Sequence, residues 1–279
     1  MSLPADSHVH TQFSWDAPNG DMLATCARAI EVGLPAVAFT EHVDHTVLQV
    51  SREGLDPDHF LLQLRESDGT VTPPAFDATG YLAAVADCRE RFPQLRILSG
   101  LELGEPHRHV EQVAALLGAG DSDRVLGSLH TLPHADGYAE PPGLYTHRAP
   151  GEVLRSYLAE VAALVSGTDV FEVLAHVDYP VRSWPQVRGP FEPSEFEAEF
   201  RHTLGVTASS GRVLEINTVV PFHALLLRWW REEGGAAVTF GSDAHEPNDV
   251  ARGFRDAVQL AEACGFRPGP RPYDVWGRS

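Results

Sequence analysis

Short apolar runs alternate with longer helix-like stretches along the chain, a pattern typical of repeated β-α units on a parallel sheet. The apolar runs predict seven strands: Leu3–His10, Pro35–Thr40, Leu95–Leu101, Arg124–Leu129, Val170–Ala175, Arg212–Ile216 and Ala236–Gly241. Spacing predicts the intervening helices: Asp21–Val32, Tyr81–Arg91, His109–Leu117, Val153–Val165, Pro193–Ala208, Pro221–Glu233 and Pro247–Cys264. This order predicts a single α/β domain over residues 1–279, built as a closed or nearly closed barrel.

Two long connections interrupt this rhythm. Val43–Gly80 is long and polar and contains three prolines, and it is predicted to be either a loop or lid over an active site or an insertion. The segment Ala135–Pro150, which follows the fourth predicted strand, leaves the same two alternatives open. The tail after Phe266 contains three more prolines and is predicted to be an irregular surface segment.

The composition is that of an ordinary soluble globular protein, with 43% hydrophobic and 22% charged residues. No long apolar run predicts a membrane span, and the N-terminus lacks the features of a secretory signal, so a cytoplasmic location is expected. The net charge of −18 disfavours nucleic-acid binding, because a negative field repels phosphate backbones. The three cysteines lack CxxC spacing, so neither a disulfide framework nor a thiolate zinc site is expected.

Histidine and acidic residues stand at the ends of most predicted strands: His8 and His10, Glu41 and His42, Glu102, His130, His176 and Asp178, and Asp243 and His245. In an α/β barrel the carboxyl ends of the strands open onto a common site, so these side chains should converge. Imidazoles and carboxylates without thiolates suit zinc, manganese or iron. The donors suffice for two or three divalent ions, and such centres activate a bridging water and stabilise displacement at phosphorus.

The order of these motifs resembles that of the PHP superfamily, which is named for polymerase and histidinol phosphatase domains. The resemblance spans His8 to His245 and rests on His8-Val9-His10, Thr40-Glu41-His42, Gly100-Leu101-Glu102, Gly127-Ser128-Leu129-His130, Ala175-His176-Val177-Asp178 and Gly241-Ser242-Asp243-Ala244-His245. It implies a distorted (β/α)7 TIM-like barrel with a trinuclear metal centre. Within the superfamily, the chain looks most like the stand-alone histidinol-phosphate phosphatases.

The resemblance also implies which residues bind the ions. The first ion would be held by His8, His10, Glu102 and Asp243, the second by Glu102, His130 and His176, and the third by Asp16, His42 and His245. Glu102 would bridge the first two ions. Asp16 stands at a position that is often histidine in relatives, and an oxygen ligand there is chemically acceptable.

The function that the resemblance implies is hydrolysis of a small phosphate monoester, with L-histidinol phosphate as the expected substrate in histidine biosynthesis. Asp243 and His245 are expected to serve catalysis as well as metal binding. Arg182, shortly after the fifth strand, is the first candidate to hold the phosphate, because a guanidinium matches phosphate geometry. Arg148 and Arg228 are further candidates.

Two roles around the cluster stay open. The proton for the leaving group could come from Asp44, Asp178 or a metal-bound water. Asp6 and Glu41, each next to a predicted ligand, are candidates for carboxylates that orient the metal-binding imidazoles. The sequence gives no indication of the oligomeric state.

Other functions also remain open. The alternative is a PHP-type phosphatase of another small phosphate ester. A metal-dependent hydrolase of the amidohydrolase type commonly uses a carbamylated lysine, whereas all 21 basic residues here are arginine. A nuclease is disfavoured by the acidic charge. A non-catalytic metal-binding protein would be expected to have lost ligands.

Overall fold

Seven parallel strands form the centre of the computed structural model, which describes residues 3–52, 60–118, 120 and 122–279. Among these residues the strands are β1 (Asp6–Val9), β2 (Ala36–Val43), β3 (Leu48–Gln49), β4 (Thr70–Val71), β5 (Arg96–Gly104), β6 (Arg124–Ser128), β7 (Leu132–His134), β8 (Gly137–Ala139), β9 (Val173–Leu174), β10 (Val213–Asn217), β11 (Ala237–Gly241), β12 (Phe266–Arg267) and β13 (Trp276–Arg278). The α-helices are α1 (Met22–Val32), α2 (Phe60–Leu64), α3 (Ala78–Arg91), α4 (Val110–Leu117), α5 (Pro141–Leu144), α6 (Pro150–Gly167), α7 (Glu197–Ser209), α8 (Ala224–Glu232) and α9 (Phe254–Ala263). Short 3-10 helices cover Tyr179–Ser183, Gln186–Arg188, Pro193–Phe196 and Pro247–Asp249.

The parallel strands follow one another around a barrel in chain order, β1-β2-β5-β6-β9-β10-β11. The barrel closes where the chain after β11 returns to β1. There Val9 and Ala244 form a parallel bridge, and the His10 amide donates to the Ala244 carbonyl at 2.8 Å. All eight residues of β2 are buried, as expected for a strand covered on both faces. The seven predicted strands are present, and the predicted distorted (β/α)7 TIM-like barrel is confirmed.

Local sequence signals explain several helix boundaries. Asp21 caps α1, where its side chain accepts a hydrogen bond from a first-turn amide at 2.9 Å, and Gly33 ends the helix with a φ of 82°. The predicted helix over Pro247–Cys264 is interrupted at Gly253, whose φ is 70°, and α9 begins only after it. Among the described helices, none is long and apolar enough to cross a membrane.

The two long connections pair with each other in a second, four-stranded sheet of order β4-β3-β8-β7. Strands β3 and β4 come from the predicted Val43–Gly80 segment, whose residues 53–59 lie outside the described residues. This sheet carries a small apolar core of its own, formed by Leu48, Val50, Leu61 and Val71. The described parts of both connections therefore have regular structure, and whether they cover the site as a lid stays a prediction.

The chain after Phe266 differs from the predicted irregular surface segment. Strand β13 pairs antiparallel with both β11 and β12 and so extends the barrel sheet. Trp276 is only 5% exposed and meets Phe240 edge to face, with ring centroids 4.9 Å apart. The prediction was wrong because the prolines all precede β13 and leave its backbone amides available for pairing.

Replacing Trp276 by alanine should therefore destabilise the barrel although the residue lies near the end of the chain. We expect the free energy of unfolding to fall by about 3–5 kcal/mol, the usual cost of truncating a buried aromatic side chain. Urea unfolding followed by circular dichroism measures this. Val187→Ala, at a side chain that is 95% exposed, is the control and should stay within about 0.5 kcal/mol. Equal stability of both variants would mean that the tail does not contribute to the core.

Candidate metal centre

The predicted metal ligands all lie near the carboxyl ends of barrel strands or in the connections that follow them. The structure brings together the complete predicted set: His8, His10, Asp16, His42, Glu102, His130, His176, Asp243 and His245. Parallel strands produce this convergence because their carboxyl ends share one rim of the barrel. The side chains of His8, His10 and Glu102 are completely buried.

Glu102, in β5, lies at the centre of this cluster. Five imidazole nitrogens lie 2.7–3.4 Å from its carboxylate oxygens: His8 Nε2, His10 Nε2 and His42 Nδ1 near Oε2, and His130 Nε2 and His176 Nε2 near Oε1. These rings come from four barrel strands or the turns that follow them. One carboxylate thus joins donors that are far apart in the sequence.

Asp243 supplies a second carboxylate from the turn after β11. Its Oδ1 atom lies 3.1 Å from His10 Nε2 and 3.6 Å from His8 Nε2. Its Oδ2 atom accepts a hydrogen bond from Arg182 Nη2 at 2.5 Å. The φ of Asp243 is 52°, a left-handed conformation that aspartate tolerates better than most residues. This turn places the carboxylate between the two imidazoles of the first strand and a guanidinium.

Asp16, His42 and His245 form a third group. Asp16 Oδ2 lies 3.2 Å from His42 Nε2 and 3.0 Å from His245 Nε2. The Nδ1 atom of His245 lies 2.9 Å from the backbone carbonyl of Asp243, to which it can only donate. In the neutral ring its Nε2 atom would then carry a lone pair that an ion held together with Asp16 could use.

Glu215 and Asn217, in β10, contact the cluster although the sequence predicted no role for them there. Glu215 accepts from His8 Nδ1 at 2.7 Å and from the His176 amide at 2.8 Å. Asn217 Nδ2 donates to the carboxylates of Glu215 and Asp243 at 3.1 and 3.2 Å. The bond to Nδ1 leaves the Nε2 lone pair of His8 facing the cluster, as in carboxylate–histidine–metal sites. The available signal was two polar residues, two apart, in an otherwise apolar strand.

Two glycines make room for carboxylates beside the cluster. A Cβ atom at Gly241 would overlap Oε1 of Glu215, and a Cβ atom at Gly104 would overlap Oδ1 of Asp44. Each of these glycines is the last residue of a barrel strand. An alanine at either position would displace a carboxylate that contacts a metal-site imidazole.

Further hydrogen bonds hold the imidazoles of His10 and His130. Ser14 Oγ lies 3.0 Å from His10 Nδ1 and donates a hydrogen bond to Glu41 Oε2 at 2.6 Å. The buried carboxylate of Glu41 therefore helps to orient the His10 ring through the Ser14 hydroxyl. Asp44 Oδ1 lies 3.4 Å from His130 Nδ1. These contacts leave the opposite nitrogen of each ring facing the carboxylates of the cluster.

Asp6 does not have the orienting role suggested by its position. Its Oδ1 atom accepts from the Ser242 amide at 2.9 Å and its Oδ2 atom from the Ala251 amide at 3.0 Å. Asp6 therefore ties the first strand to the chain after β11 and supports closure of the barrel. The carboxylate that contacts the His8 ring is Glu215.

Burial and neighbouring charges set the protonation of the cluster. Burial, with the imidazoles of His42 and His245, lowers the pKa of His10 to about 3, so this ring is neutral at pH 7. Burial alone would raise the pKa of Glu102, but the imidazoles of His8 and His42 hold it well below its usual range. These two residues are therefore in the states that bind metal, whereas burial would lower the pKa of His42 but Asp16, Glu102 and Asp44 raise it to about 10, so metal binding there would release a proton.

The donor set fits divalent metal ions. Buried cluster atoms without a hydrogen-bond partner among the described residues are Asp16 Oδ1, His42 Nδ1, Glu102 Oε2 and His176 Nδ1. Unpaired polar atoms are rare in protein interiors, and a bound ion would satisfy several of them. Two ligands about 2.0–2.2 Å from a tetrahedral ion lie roughly 3.3 Å apart, close to most separations around Glu102. Nitrogen and oxygen donors without sulfur suit zinc, manganese or iron.

A cavity of about 100 Å³ opens onto the cluster. Part of its described lining is apolar, from Trp15, Leu48, Phe60 and Pro73. The polar lining outside the cluster is Asp44, Thr46, Glu105, Thr131, Glu140, Tyr179 and Arg182. Arg182 is the one arginine in this lining, and its guanidinium also lies over the Tyr179 ring, 4.9 Å from the centroid. The cavity can therefore hold a small molecule between the cluster and an apolar wall.

The other candidates lie outside this cavity lining. Arg148 instead donates to Ser156 Oγ at 2.7 Å, and Arg228 is exposed on α8. Asp178 is buried but does not line the cavity, whereas Asp44 does. Of the two acidic candidates for proton donation, only Asp44 can reach a molecule bound there.

Comparison with known proteins agrees with this geometry. A probable histidinol-phosphatase of Clostridium acetobutylicum is 24% identical over 273 residues, covering 94% of each chain. A probable histidinol-phosphatase of Deinococcus radiodurans is 29% identical over 279 residues, covering 96% of each chain. The crystal structure of histidinol phosphate phosphatase from Lactococcus lactis, complexed with zinc, L-histidinol and phosphate, has a TM-score of 0.76. It is 21% identical and covers 99% of this chain and 97% of its own, so the two proteins share a fold.

The PHP domain matches residues 6–219, most of the chain and all of the barrel up to the end of β10. The resemblance inferred from the ordered strand-end motifs is thereby confirmed. The chain belongs to the PHP domain family.

Proposed function

We propose that this chain is a metal-dependent phosphatase that hydrolyses L-histidinol phosphate to L-histidinol and phosphate. The observation that carries the proposal is the convergence of the nine predicted donors around Glu102, beside a cavity that presents Arg182. The names of the full-length relatives support the choice of substrate. A cytoplasmic location and a single domain over residues 1–279 stay predictions.

The proposed ions would be bound by three overlapping groups of residues. These are His8, His10, Glu102 and Asp243, then Glu102, His130 and His176, and finally Asp16, His42 and His245. Zinc is the first choice of metal because the Lactococcus lactis relative was crystallised with it, and iron and manganese suit the same donors. Asp44 is a further donor at this centre, because its carboxylate lies within 4.8 Å of the donor atoms of His42 and His130.

Bound divalent ions would supply a nucleophile from water at neutral pH and neutralise charge on the phosphoryl oxygens. The chain's own residues position the reactants. Arg182 would hold a phosphoryl oxygen through guanidinium hydrogens, while its contact with Asp243 fixes its direction. In the reaction a water oxygen bonds to phosphorus, the P–O bond to the alcohol breaks, and the departing oxygen takes a proton. Asp44 lines the cavity, but although burial raises the pKa of its carboxyl, His42 and His130 lower it below its usual value overall, so water is proposed as the source of that proton.

A phosphate-release screen tests the proposed activity directly. Purified protein loaded with zinc would be offered L-histidinol phosphate, other small phosphate monoesters, and amides or lactones. We expect phosphate release, with the highest kcat/KM for L-histidinol phosphate. Equal rates with many monoesters would indicate a general phosphatase. Hydrolysis of amides or lactones alone would overturn the proposal in favour of an amidohydrolase-like enzyme.

Glu215 offers a test of the ligand geometry that does not depend on substrate. In Glu215→Gln an amide NH2 group replaces one of the two accepting carboxylate oxygens. Two hydrogen-bond donors then face each other, at either His8 Nδ1–H or the His176 backbone amide, and that hydrogen bond is lost. We expect zinc affinity to fall roughly 10- to 100-fold, as for other partners of metal-binding histidines. Competition with a chromophoric chelator measures this affinity. Glu90→Gln, at an exposed position of α3, is the control, and equal affinities in the two variants would contradict the assigned role.

A further inference from the structure

Glu140 differs from the other carboxylates at the cavity because it has almost no partner in the described structure. It stands between β8 and α5, at the N-cap position of the helix, where an acidic side chain would normally accept a backbone amide. Its side chain makes no such bond. It lines the cavity, and its one hydrogen-bond contact is the Tyr179 hydroxyl, which donates to Oε1 across 3.5 Å.

The remaining carboxylates of the described cavity lining are all engaged within the protein. Asp16 lies against His42 and His245, and Asp243 against Arg182. Asp44 accepts from the Trp15 indole at 2.8 Å.

Glu105 accepts from the amides of His130 and Thr131 at 2.7 and 2.8 Å and from the Thr46 hydroxyl at 2.9 Å. Asp16 Oδ1 also has no hydrogen-bond partner, but Asp16 belongs to the proposed metal-binding groups, so Glu140 is the carboxylate of the described lining that remains for another part of a bound molecule.

The surroundings of Glu140 favour a cation at this point. The pKa of Glu140 is raised to about 7, chiefly by burial. His130 lowers this pKa, and the carboxylates of Asp16 and Asp44 raise it further. The single arginine of the described lining is already paired with Asp243. A positive group beside Glu140 would stabilise the ionised carboxylate, whereas a second anion there would be repelled.

The aromatic ring of Tyr179 relates Glu140 to the metal centre. The ring centroid of Tyr179 lies 5.3 Å from that of His130 and 5.0 Å from that of His176, and Arg182 lies over the same ring. The hydroxyl of this tyrosine contacts Glu140. The cluster and Glu140 are thus separated by about one phenol ring, which a short molecule can span.

We infer that Glu140 binds a protonated amine of the substrate while its phosphoryl group lies at the metal centre and Arg182. The inference rests on the proposed phosphatase function and adds the residue that selects the amine: among small phosphate monoesters, Glu140 would favour those that carry an ammonium group a few bonds from the ester oxygen. Glu140 would act in specificity, and the attack on phosphorus would not involve it. The apolar wall of Trp15, Leu48, Phe60 and Pro73 would contact the rest of the molecule.

A pair of substrates that differ only in the amine tests this role. L-histidinol phosphate and its des-amino analogue, 3-(imidazol-4-yl)propyl phosphate, would be compared in the zinc-loaded wild type, Glu140→Gln and Glu140→Asp. We expect the kcat/KM of Glu140→Gln to fall roughly 10- to 100-fold for the amine and to change less than about twofold for the analogue, since one charged hydrogen bond contributes about this much. Glu140→Asp keeps the charge and should recover part of the loss. Glu195→Gln, at an exposed position, should leave both values unchanged.

The outcomes separate the two proposals. Equal losses on both substrates, or no loss on either, would overturn the role of Glu140 while leaving the phosphatase function intact. If the wild type hydrolyses neither ester, the proposed function fails, and calorimetric binding of L-histidinol to the zinc-loaded proteins still decides the inference. A Kd at least about tenfold weaker in Glu140→Gln supports it. An unchanged Kd, or no binding to the wild type, rejects it.

Discussion

Glu102→Gln is expected to lower kcat/KM for L-histidinol phosphate by at least about 1,000-fold and to reduce the bound metal. The carboxylate of Glu102 lies 2.7–3.4 Å from five imidazole nitrogens. Its Oε2 atom nevertheless accepts no hydrogen bond of acceptable geometry from the described residues. Glutamine has the same shape but lacks the negative charge, and its NH2 group cannot coordinate a cation. Two ion sites would lose their shared ligand, so the effect should exceed the roughly 100- to 1,000-fold cost of removing one transition-state donor.

Metal content per chain and steady-state kinetics measure this prediction together. Glu111→Gln, on the exposed first turn of α4, is the control and should match the wild type in both. Circular dichroism would verify that the barrel remains folded. A Glu102→Gln protein with full metal content and unimpaired hydrolysis would show that this residue is not the shared ligand.

Arg182→Ala is expected to lower kcat/KM roughly 100-fold for every phosphate monoester tested, mainly by raising KM, because hydrogen bonding to a charged phosphoryl group contributes up to about 3 kcal/mol. Arg182 is the one arginine in the described cavity lining, and a hydrogen bond of 2.5 Å from its Nη2 atom to Asp243 Oδ2 fixes the orientation of the guanidinium. Because Asp243 keeps its contacts with His10 and Asn217, the metal content should stay unchanged. The loss should be the same for esters with and without an amine, in contrast to the selective loss expected for Glu140→Gln.

Two further variants sharpen this prediction. Arg182→Lys keeps the charge but lacks the planar fork of donors, so it should recover only part of the activity. Arg188→Ala removes an exposed arginine from the same region of the chain and should behave as the wild type. Unaltered kinetics in Arg182→Ala would reject the phosphate-binding role.

The sequence predicts the barrel and the convergence of the proposed metal donors well because both follow from local rules. Apolar runs of strand length mark the barrel strands, and residues at strand ends must meet at one rim. His10, Glu102 and Asp243 could therefore be selected from position alone. The roles of Glu215 and Glu140 could not, because they depend on which side chain lies opposite in three dimensions. The contact between Glu215 and His8 joins residues that are 207 positions apart.

The parts of the fold that escaped prediction have weak local signals. Strands β3 and β4 each have two residues, too few for a periodic pattern, and β3 is fixed by pairing with β8 from the other long connection. Strand β13 follows a proline-rich stretch, and its stability comes from Trp276 packing on Phe240. The orienting role expected of Asp6 failed because backbone amides after β11 occupy its carboxylate.

Phosphate release from L-histidinol phosphate, measured before and after reversible removal of the metal, tests the central claim most directly. The account predicts that chelation abolishes release and that adding back about two or three equivalents of zinc per chain restores it, with the return of activity tracking occupancy. Undiminished phosphate release by protein shown to be free of metal would contradict the account.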